Sequence, residues 1–221
     1  MTFEYQWLPK YDLKSIDDGP NGRVYQTPIG ELPSVTSVLK SKSSEKALEQ
    51  WRERVGHDVA AQISQSASNR GNAVHKIAEN YLLGKEWKKG EMTLNISSFN
   101  KIRPYLENIS HIYGLEHKLF SKELHAAGTA DLIARWLDRF NVVADYKTSK
   151  RVLIPSSPVL KKYRYQATAY SIMIEELYGI EVKYNVIFIV IDGEPKPQID
   201  LTNNHQFRKS VRRIFKKGLQ T

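Results

Sequence analysis

Two apolar runs separated by a short polar turn constrain this chain most, because each run carries an aspartate. The first run, Ala130–Trp136, is interrupted only by Asp131 and Arg135, and the second extends over Asn141–Lys147. Their β-branched and apolar composition predicts a β-hairpin. Asp131 opens the first strand and Asp145 lies near the end of the second. Antiparallel pairing is therefore expected to bring the two carboxylates together at one edge of a sheet.

The second run also predicts which groups share a face. Asp145 and Lys147 are two residues apart and point to one face, whereas Tyr146 points to the other and leaves its carbonyl beside them. Two carboxylates and a carbonyl are hard oxygen ligands, which Mg²⁺ and Mn²⁺ prefer. A lysine there can hold or deprotonate a water molecule, or offset charge on a phosphoryl group. The alternative is a hairpin with a solvated Asp-x-Lys ion pair.

Two other segments predict helices with polar pairs on one face. In residues 70–82, His75 and Glu79 stand four positions apart beside apolar residues at helical spacing. In the amphipathic stretch after Tyr163, Gln166 and Tyr170 have the same spacing. Each pair has a purely structural alternative, which is a packed histidine in the first helix and core aromatic residues in the second.

Taken in order, these segments resemble the motifs of the RecB-like branch of the PD-(D/E)xK nuclease superfamily. The helical His, GxxD, DxK and QxxxY of that branch correspond to His75, Gly128-Thr129-Ala130-Asp131, Asp145-Tyr146-Lys147 and Gln166-Ala167-Thr168-Ala169-Tyr170. The resemblance implies an α/β (α+β) fold with a restriction-endonuclease-like core, in which a central mixed sheet is flanked by helices. Ala130 stands where the superfamily usually has proline.

The resemblance also implies roles for individual residues. The implied metal ligands are His75, Asp131, Asp145 and the Tyr146 carbonyl, the catalytic residues are Lys147 with Asp131 and Asp145, and the lining residues are Gln166 and Tyr170. Lys147 would serve the attacking water. Glu79 would bind a second metal ion, orient Lys147 or cap a polar network, and the sequence leaves these three roles open.

A second resemblance is to the amino-terminal half of the mitochondrial genome maintenance exonuclease family and its phage and bacterial relatives. It rests on residues 32–39, Trp51 with Arg52, and Arg70 with Gly71. Those exonucleases prefer single-stranded DNA ends. By this resemblance Ser34 and Thr36 would donate hydroxyl groups to phosphates, and Arg70 would line the nucleic-acid path. Alternatively, Ser34 and Thr36 cap the turn or helix that follows.

The charge balance agrees with a nucleic-acid partner. The chain has 33 Lys and Arg against 24 Asp and Glu, a net charge of +9 and a pI near 9.5. Basic runs flank the hairpin motif, so Lys150 and Arg164 are expected to contact the nucleic acid. The last predicted helix, at about residues 207–217, is amphipathic, with a cationic outer face that contacts nucleic acid or is solvated.

Length and composition limit the possible domain organisation, location and cofactors of the chain. The 221 residues predict one nuclease domain, with residues 1–70 as an amino-terminal hairpin and helical elaboration and residues 71–221 as the catalytic core. No apolar run is long enough to span a bilayer and no signal peptide is evident, so we expect a cytoplasmic protein of a bacterial cell or phage-infected host. The absence of cysteine excludes the iron-sulfur cluster that some RecB-like nucleases hold.

Hydrophobic periodicity and turn residues predict the remaining elements. These are a hairpin at 23–27 and 31–38, helices at 44–55, 57–68, 72–83, 97–113 and 158–178, strands at 115–124, 129–136, 141–147, 182–191 and 196–201, and a final helix from residue 203.

The expected function is that of a Mg²⁺- or Mn²⁺-dependent DNA exonuclease that acts on single-stranded ends, leaves 5′-phosphates and serves recombination or repair. Three alternatives remain open from the sequence. They are an endonuclease on the same core, a catalytically silent nucleic-acid-binding module and an RNA-directed nuclease.

Overall fold

The protein is described by a computed structural model that covers residues 3–17, 22–40 and 42–218. Its main sheet has six strands in the order β1-β5-β6-β7-β8-β9. These strands are β1 (Glu4–Tyr5), β5 (Ile109–Ser121), β6 (Ala126–Trp136), β7 (Phe140–Ser149), β8 (Tyr184–Ile191) and β9 (Gln198–Asn203). Strands β5, β6 and β7 are antiparallel, β1 pairs parallel to β5, β8 pairs parallel to β7, and β9 is antiparallel to β8. The sheet is therefore mixed.

A smaller antiparallel sheet and six helices complete the described part of the chain. The small sheet contains β2 (Lys14–Asp17), β3 (Arg23–Thr27) and β4 (Gly30–Pro33). The helices are α1 (Val35–Val38), α2 (Lys42–Val55), α3 (His57–Leu82), α4 (Thr93–Leu106), α5 (Pro158–Tyr178) and α6 (His205–Gly218).

Separate hydrophobic cores cover the two faces of the main sheet. Helices α3 and α4 pack on one face, where Phe99 and Phe188 are fully buried. Helices α5 and α6 pack on the other face around Met173, Ile187 and Phe215. Strand β8 is apolar on both sides because it lies between these two cores. The predicted α/β fold, with a central mixed sheet flanked by helices, is confirmed.

Local sequence signals account for the bounds of α5, which the sequence predicted correctly. Pro158 stands at its first turn, where proline's missing N–H costs no helical hydrogen bond. Gly179 ends it in the left-handed conformation, with φ 68°.

Several predicted elements differ from the structure. The predicted helix at 97–113 ends at Leu106, and Ile109–Tyr113 begins β5, where pairing with β6 outweighs local propensity. Residues 35–38 form the short helix α1 rather than the end of a strand. The two helices predicted at 57–68 and 72–83 are one helix, α3, which continues through Gly71 and across the predicted boundary at residue 70. Strand β1 joins the amino-terminal region to the main sheet.

Among the described helices, none combines the length and the apolar character that crossing a membrane requires.

Candidate metal centre

The two motif aspartates lie where the central strands separate. Pairing between β6 and β7 runs from Trp136 and Phe140 to Leu132 and Ala144 and ends there. Asp131 and Asp145 are the next residues on the two strands. The predicted position of Asp131 at the start of a strand was wrong, because β6 begins five residues earlier and continues along β5. The aspartates therefore meet inside the six-stranded sheet, next to the point where two strands diverge.

A hydrogen bond from the backbone replaces the missing strand pairing. The Tyr146 N–H donates to Asp131 Oδ2 over 3.0 Å. A carboxylate that accepts a backbone hydrogen bond is fixed in orientation, and its charged form is favoured. The side chain of Asp131 is about 10% exposed, so it is largely buried but still in contact with solvent.

Glu116 on β5 is the site residue that the sequence reasoning missed. It lies between the pairs Leu115 with Leu132 and His117 with Ala130, and so faces Asp131 across the strands. Its φ is 43°, in the left-handed region that non-glycine residues rarely adopt. The ligand atoms of His75, Glu116 and Asp131 all lie within 4.8 Å of one another.

The strained backbone at Glu116 changes the alternation of side chains. Leu115 packs in the α3–α4 core, whereas Leu119 packs in the α5–α6 core. In a regular strand, residues four positions apart lie on the same face. In β6, Ala130 and Leu132 are divided between the two cores in the same way. The regular alternation of side chains between the two faces of the main sheet is therefore interrupted at the site. Glu116 is followed directly by His117 and Lys118, so no local pattern in the sequence distinguishes it as a site residue.

His75 reaches the site from α3. Its Nε2 is 2.7 Å from the Tyr146 carbonyl oxygen, and its Nδ1 is 3.3 Å from Asp131 Oδ2. Burial lowers the pKa of His75, but the hydrogen bond to Asp131 and that carboxylate's charge outweigh it and raise the pKa to about 9. At neutral pH the imidazolium therefore donates to two oxygens that the sequence predicted as metal ligands.

Asp145 and Lys147 share a face, as the strand alternation predicted. Lys147 Nζ lies 2.5 Å from Asp145 Oδ2, and Gln166 Nε2 donates to Asp145 Oδ1 over 3.2 Å. Asp145 is 1% exposed, and burial raises its pKa to about 6 even though the Lys147 ammonium lowers it. Burial lowers the pKa of Lys147, but the charges of Asp145 and Asp131 outweigh it and raise the pKa. Lys147 is thus a cation held between two carboxylates.

These five residues are called the carboxylate cluster below. They are His75, Glu116, Asp131, Asp145 and Lys147.

Helix α5 forms one wall of the site. Tyr170 is buried and packs over Gly128, where an added Cβ would lie 2.7 Å from Tyr170 Cε1. Gly128 therefore allows the tyrosine ring to approach the backbone three residues before Asp131. Gln166 and Tyr170 lie on one helical face, as their four-residue spacing predicted, and Gln166 reaches Asp145.

Glu79 lies near the carboxylate cluster but outside the group of three potential ligands. It borders a pocket of about 250 Å³ that Trp7, Lys10 and Leu115 also line. Burial, followed by the charge of Asp131, raises the pKa of Glu116 to about 7, and Glu79 contributes in the same direction. Glu116, and not Glu79, belongs to the group of three potential ligands, and the three roles considered for Glu79 stay predictions.

Ser34 and Thr36 are engaged with each other and with α1. Ser34 caps this helix, since its Oγ accepts a hydrogen bond from the Ser37 N–H over 3.0 Å. The Ser34 and Thr36 hydroxyl oxygens are 2.9 Å apart. The structure thus places Ser34 in the capping role that the sequence offered as the alternative to phosphate binding.

The three basic residues predicted to contact nucleic acid, Arg70, Lys150 and Arg164, lie in different environments. Arg70 donates to Asp192 over 2.8 Å and, with Lys150, lines a surface groove of about 350 Å³. Arg164 forms a two-point pair with Asp200, with distances of 2.8 and 2.5 Å, and the pair is largely buried. This pair stabilises the contact between α5 and β9. Arg164 accordingly has a structural role, and its guanidinium is not directed at the carboxylate cluster.

The donor set fits a hard divalent cation. One imidazole nitrogen and two carboxylates lie within 4.8 Å of one another, and the Tyr146 main-chain carbonyl lies next to the same imidazole ring. Nitrogen and oxygen ligands of this kind suit Mg²⁺ or Mn²⁺. The positive charges of His75 and Lys147 offset the clustered carboxylates, which is the electrostatic task that a bound cation would share. A divalent metal ion is therefore compatible with the residues present.

Comparisons with known proteins locate only distant likenesses. No protein-family model and no curated protein sequence matches the chain. A crystal structure titled as that of a "Putative exonuclease" from Eubacterium rectale is similar at 11% identity and a TM-score of 0.47, over 68% of this chain and 65% of that one. The crystal structure of a protein called SSO0001 is similar at 11% identity and a TM-score of 0.39, over 85% of this chain and 74% of that one. Both likenesses are too distant to assign an activity, and the chain spans less than two thirds of the first protein's length.

Proposed function

We propose that this protein is a divalent-metal-dependent nuclease that hydrolyses phosphodiester bonds in DNA. The observation that carries the proposal is the convergence of His75, Glu116 and Asp131 within 4.8 Å, beside the Asp145 and Lys147 pair. A buried ion pair built only for stability needs two charges. Five titratable groups together, with the pKa of Asp131 lowered and the pKa values of the other four raised, are typical of a reaction centre.

Each residue of the carboxylate cluster has a distinct task in the proposed reaction. Glu116, Asp131 and His75 in its neutral form would hold the metal ion, with Asp145 and the Tyr146 carbonyl beside them. The ion would supply Lewis-acid activation of water and neutralise charge on the phosphate. The Tyr146 N–H fixes Asp131, and Gln166 fixes Asp145, so neither carboxylate has to reorient during the reaction.

Lys147 would act on the water and the phosphoryl oxygens. Its ammonium lies next to Asp145 and its side chain is 18% exposed, so a phosphate at the surface could approach it. The attacking water oxygen forms a bond to phosphorus as the bond to the 3′-oxygen breaks. The proton lost from water is passed to solvent, and the leaving 3′-oxygen is protonated, which leaves a 5′-phosphate and a 3′-hydroxyl.

The finer proposal is an exonuclease of the RecB-like kind that prefers single-stranded DNA ends and serves recombination or repair. It is supported by the ordered motif series and by the resemblance of residues 32–39 to the genome maintenance exonucleases. The net charge of +9 favours a polyanionic substrate.

The proposal is tested by incubating the protein with end-labelled single-stranded, linear duplex and closed circular DNA in Mg²⁺, Mn²⁺ or EDTA. We expect metal-dependent loss of the linear single strands, intact circles, and no product from Lys147→Ala. The exposed residue Lys89 offers a matched control, because Lys89→Ala removes the same charge outside the cluster. Nicked circles would indicate an endonuclease instead of an exonuclease. Tight binding without any cutting would indicate a binding module. An oligoribonucleotide of the same sequence tests an RNA-directed activity.

Metal binding is tested separately from cleavage. A ligand that binds only the folded state raises the melting temperature. Mn²⁺ is expected to raise it in the wild type and to do so much less in Asp131→Asn. An equal rise in both proteins would place the bound ion elsewhere.

A further inference from the structure

A second surface feature lies beside the carboxylate cluster. It is an open groove of about 660 Å³ between the end of α1, the first two turns of α5 and the last turns of α6. Its floor is apolar and includes Leu39 and Ile214. Its polar and aromatic lining consists of Lys40, Lys161, Lys162, Tyr163, Tyr165 and Arg213. We call this feature the α5–α6 groove.

The charge of the groove is of one sign. Four of its lining residues are cations, and none is a carboxylate. Outside the groove, Lys76 and Lys183 pair with Glu91 and Glu181, whereas the lining of the groove offers its cations no carboxylate. Like charges placed together without a partner cost free energy, so a concave cationic surface fits an anionic ligand that tracks along it.

Aromatic side chains stand among these cations. Lys161 Nζ lies 5.7 Å from the Tyr165 ring centre, and the rings of Tyr165 and Phe207 pack edge to face at 5.9 Å. Both Tyr163 and Tyr165 are half-buried, so their orientations are fixed while part of each ring remains accessible. Fixed rings beside ammonium groups are the lining that proteins use to stack unpaired bases and hold the phosphates between them.

The groove is continuous with the proposed reaction centre through Tyr163. Lys147 Nζ lies 5.2 Å from the centre of the Tyr163 ring, which also lines the groove. Burial, followed by the charges of Lys40 and Lys147, lowers the pKa of Lys162, so these cations are close enough to repel one another. A line of positive charge thus runs from the groove to the carboxylate cluster.

We infer that the α5–α6 groove binds a single strand of DNA next to the phosphate that is cut, with cations on its phosphates and tyrosine rings on its bases. The inference rests on the proposed function and adds the path of the substrate. A duplex fits the lining poorly, because paired bases are already stacked and do not expose their faces to Tyr163 or Tyr165. The choice of DNA over RNA rests on the proposed function and not on the lining of the groove, and it is tested below.

The experiment measures binding without cleavage. Fluorescence anisotropy of a labelled oligothymidylate is recorded in EDTA over a range of salt concentrations. The groove variant is Lys40→Ala, Lys161→Ala, Lys162→Ala. The matched control is Lys85→Ala, Lys88→Ala, Lys89→Ala, which removes the same charge from exposed residues in the loop after α3.

The groove variant is expected to bind at least roughly tenfold more weakly than the control variant. Its logarithmic salt dependence should be shallower by about 2, since each phosphate contact on a single strand contributes about 0.7. Tyr165→Leu should weaken binding to the oligothymidylate and leave binding to an abasic strand of the same length unchanged. Equal losses in the two triple variants would overturn the inference. So would duplex or RNA binding that depends on the groove lysines more than single-stranded DNA binding does, or an acidic peptide that displaces the strand.

A measurement on the wild type avoids any dependence on the folding of variants. Lysine acetylation followed by mass spectrometry is expected to show Lys161 and Lys162 protected by the oligothymidylate, with Lys88 and Lys89 modified equally in its presence and absence. Lack of protection at Lys161 and Lys162 at saturating strand would contradict the inference. The two proposals fail separately. A protein that binds the strand in the groove but never cuts it would refute the nuclease, whereas a protein that cuts normally without using the groove would refute only the path.

Discussion

Helix α5 separates two groups of buried polar side chains. On one side lies the carboxylate cluster, to which Gln166 donates a hydrogen bond at Asp145. On the other side lies a group that we call the α5 network. Its members are Thr168, Ser171, Glu175, Asn185, Asn204 and Arg208.

The hydrogen bonding of the α5 network is complete. Asn185 donates to Thr168 Oγ1 over 2.8 Å and accepts from Ser171 over 3.1 Å, and Arg208 holds Glu175 through two nitrogens. No buried side-chain atom of the network lacks a partner. Arg208, supported by Glu175 and Asn204, therefore ties α6 to α5 and β8.

The carboxylate cluster is arranged in the opposite way. Three carboxylates face one another, and the pKa values of Asp145 and Glu116 rise to about 6 and about 7, mainly through burial. Asp145 Oδ2 is close to the Lys147 ammonium without hydrogen-bond geometry. Complete hydrogen bonding is typical of a structural group, whereas several buried carboxylates with raised pKa values beside two cations are typical of a functional one.

The largest expected effect comes from replacing the Asp145 carboxylate with an amide. Asp145→Asn should lower the cleavage rate by roughly 10³-fold, because it removes a carboxylate beside the proposed metal ion and the charge partner that positions Lys147. The free energy of unfolding in EDTA should stay within about 1 kcal/mol of the wild type, since Lys147 keeps Asp131 as a charge partner. Rate measurements and urea titrations check both. Retained cleavage would remove the cluster from the mechanism.

Replacing an amide of the α5 network with a carboxylate should lower stability and leave the cleavage rate nearly unchanged. Asn185→Asp places a charge among groups that are already satisfied and fully buried, so it should destabilise the fold by about 3 kcal/mol. Urea unfolding measures this loss. Under conditions where the variant remains folded, its cleavage rate should be close to that of the wild type. A stable Asn185→Asp would mean that the two groups do not differ as described.

A smaller effect is expected at the contact between Gly128 and Tyr170. The methyl group of Gly128→Ala would press on the Tyr170 ring, and overpacking of this kind costs about 1–3 kcal/mol. Cleavage should also fall, because Asp131 follows on the same strand. Combining Gly128→Ala with Tyr170→Ala relieves the contact, so the double-mutant cycle should give a coupling energy of about 1 kcal/mol or more. Additive losses would show that the ring does not restrain this strand.

The smallest expected effect is a gain in stability from Glu116→Gln. The folded-state pKa of Glu116 is raised, so its contribution to stability is present at acid pH and is lost as the pH rises through about 7. In EDTA at pH 8 the variant should therefore be more stable than the wild type by about 1 kcal/mol or less, because solvent screens this partly exposed carboxylate. Near pH 4 the two proteins should unfold alike. If Glu116→Gln were less stable than the wild type at pH 8, the ionised Glu116 carboxylate would stabilise the fold instead of destabilising it.

Short-range patterns were sufficient for several parts of the molecule. Alternation placed Asp145 and Lys147 on one face, and helical spacing placed Gln166 beside Tyr170. Periodicity with proline and glycine predicted the bounds of α5. These features depend on residues a few positions apart, where backbone geometry alone determines which side chains meet.

Glu116 and Arg164 show the limit of such patterns. Glu116 joins the site through pairing of β5 with β6 and through a left-handed backbone, and neither is visible in a local window. Arg164 is in a basic run, yet its partner is Asp200 on the last strand. A cation's position in a run does not reveal which carboxylate the fold brings to it.

The sequence by itself determined the α/β class, the order of the elements after residue 114 and the motif residues on β6, β7 and α5, because propensity and periodicity are local properties. Only the tertiary structure decided that β6 and β7 separate at Asp131 and Asp145 and that Glu116 faces them. It also decided that the groove beside Tyr163 carries four cations without a carboxylate. These features arise from strand pairing and helix packing between distant residues, which burial of the two cores selects for the chain as a whole.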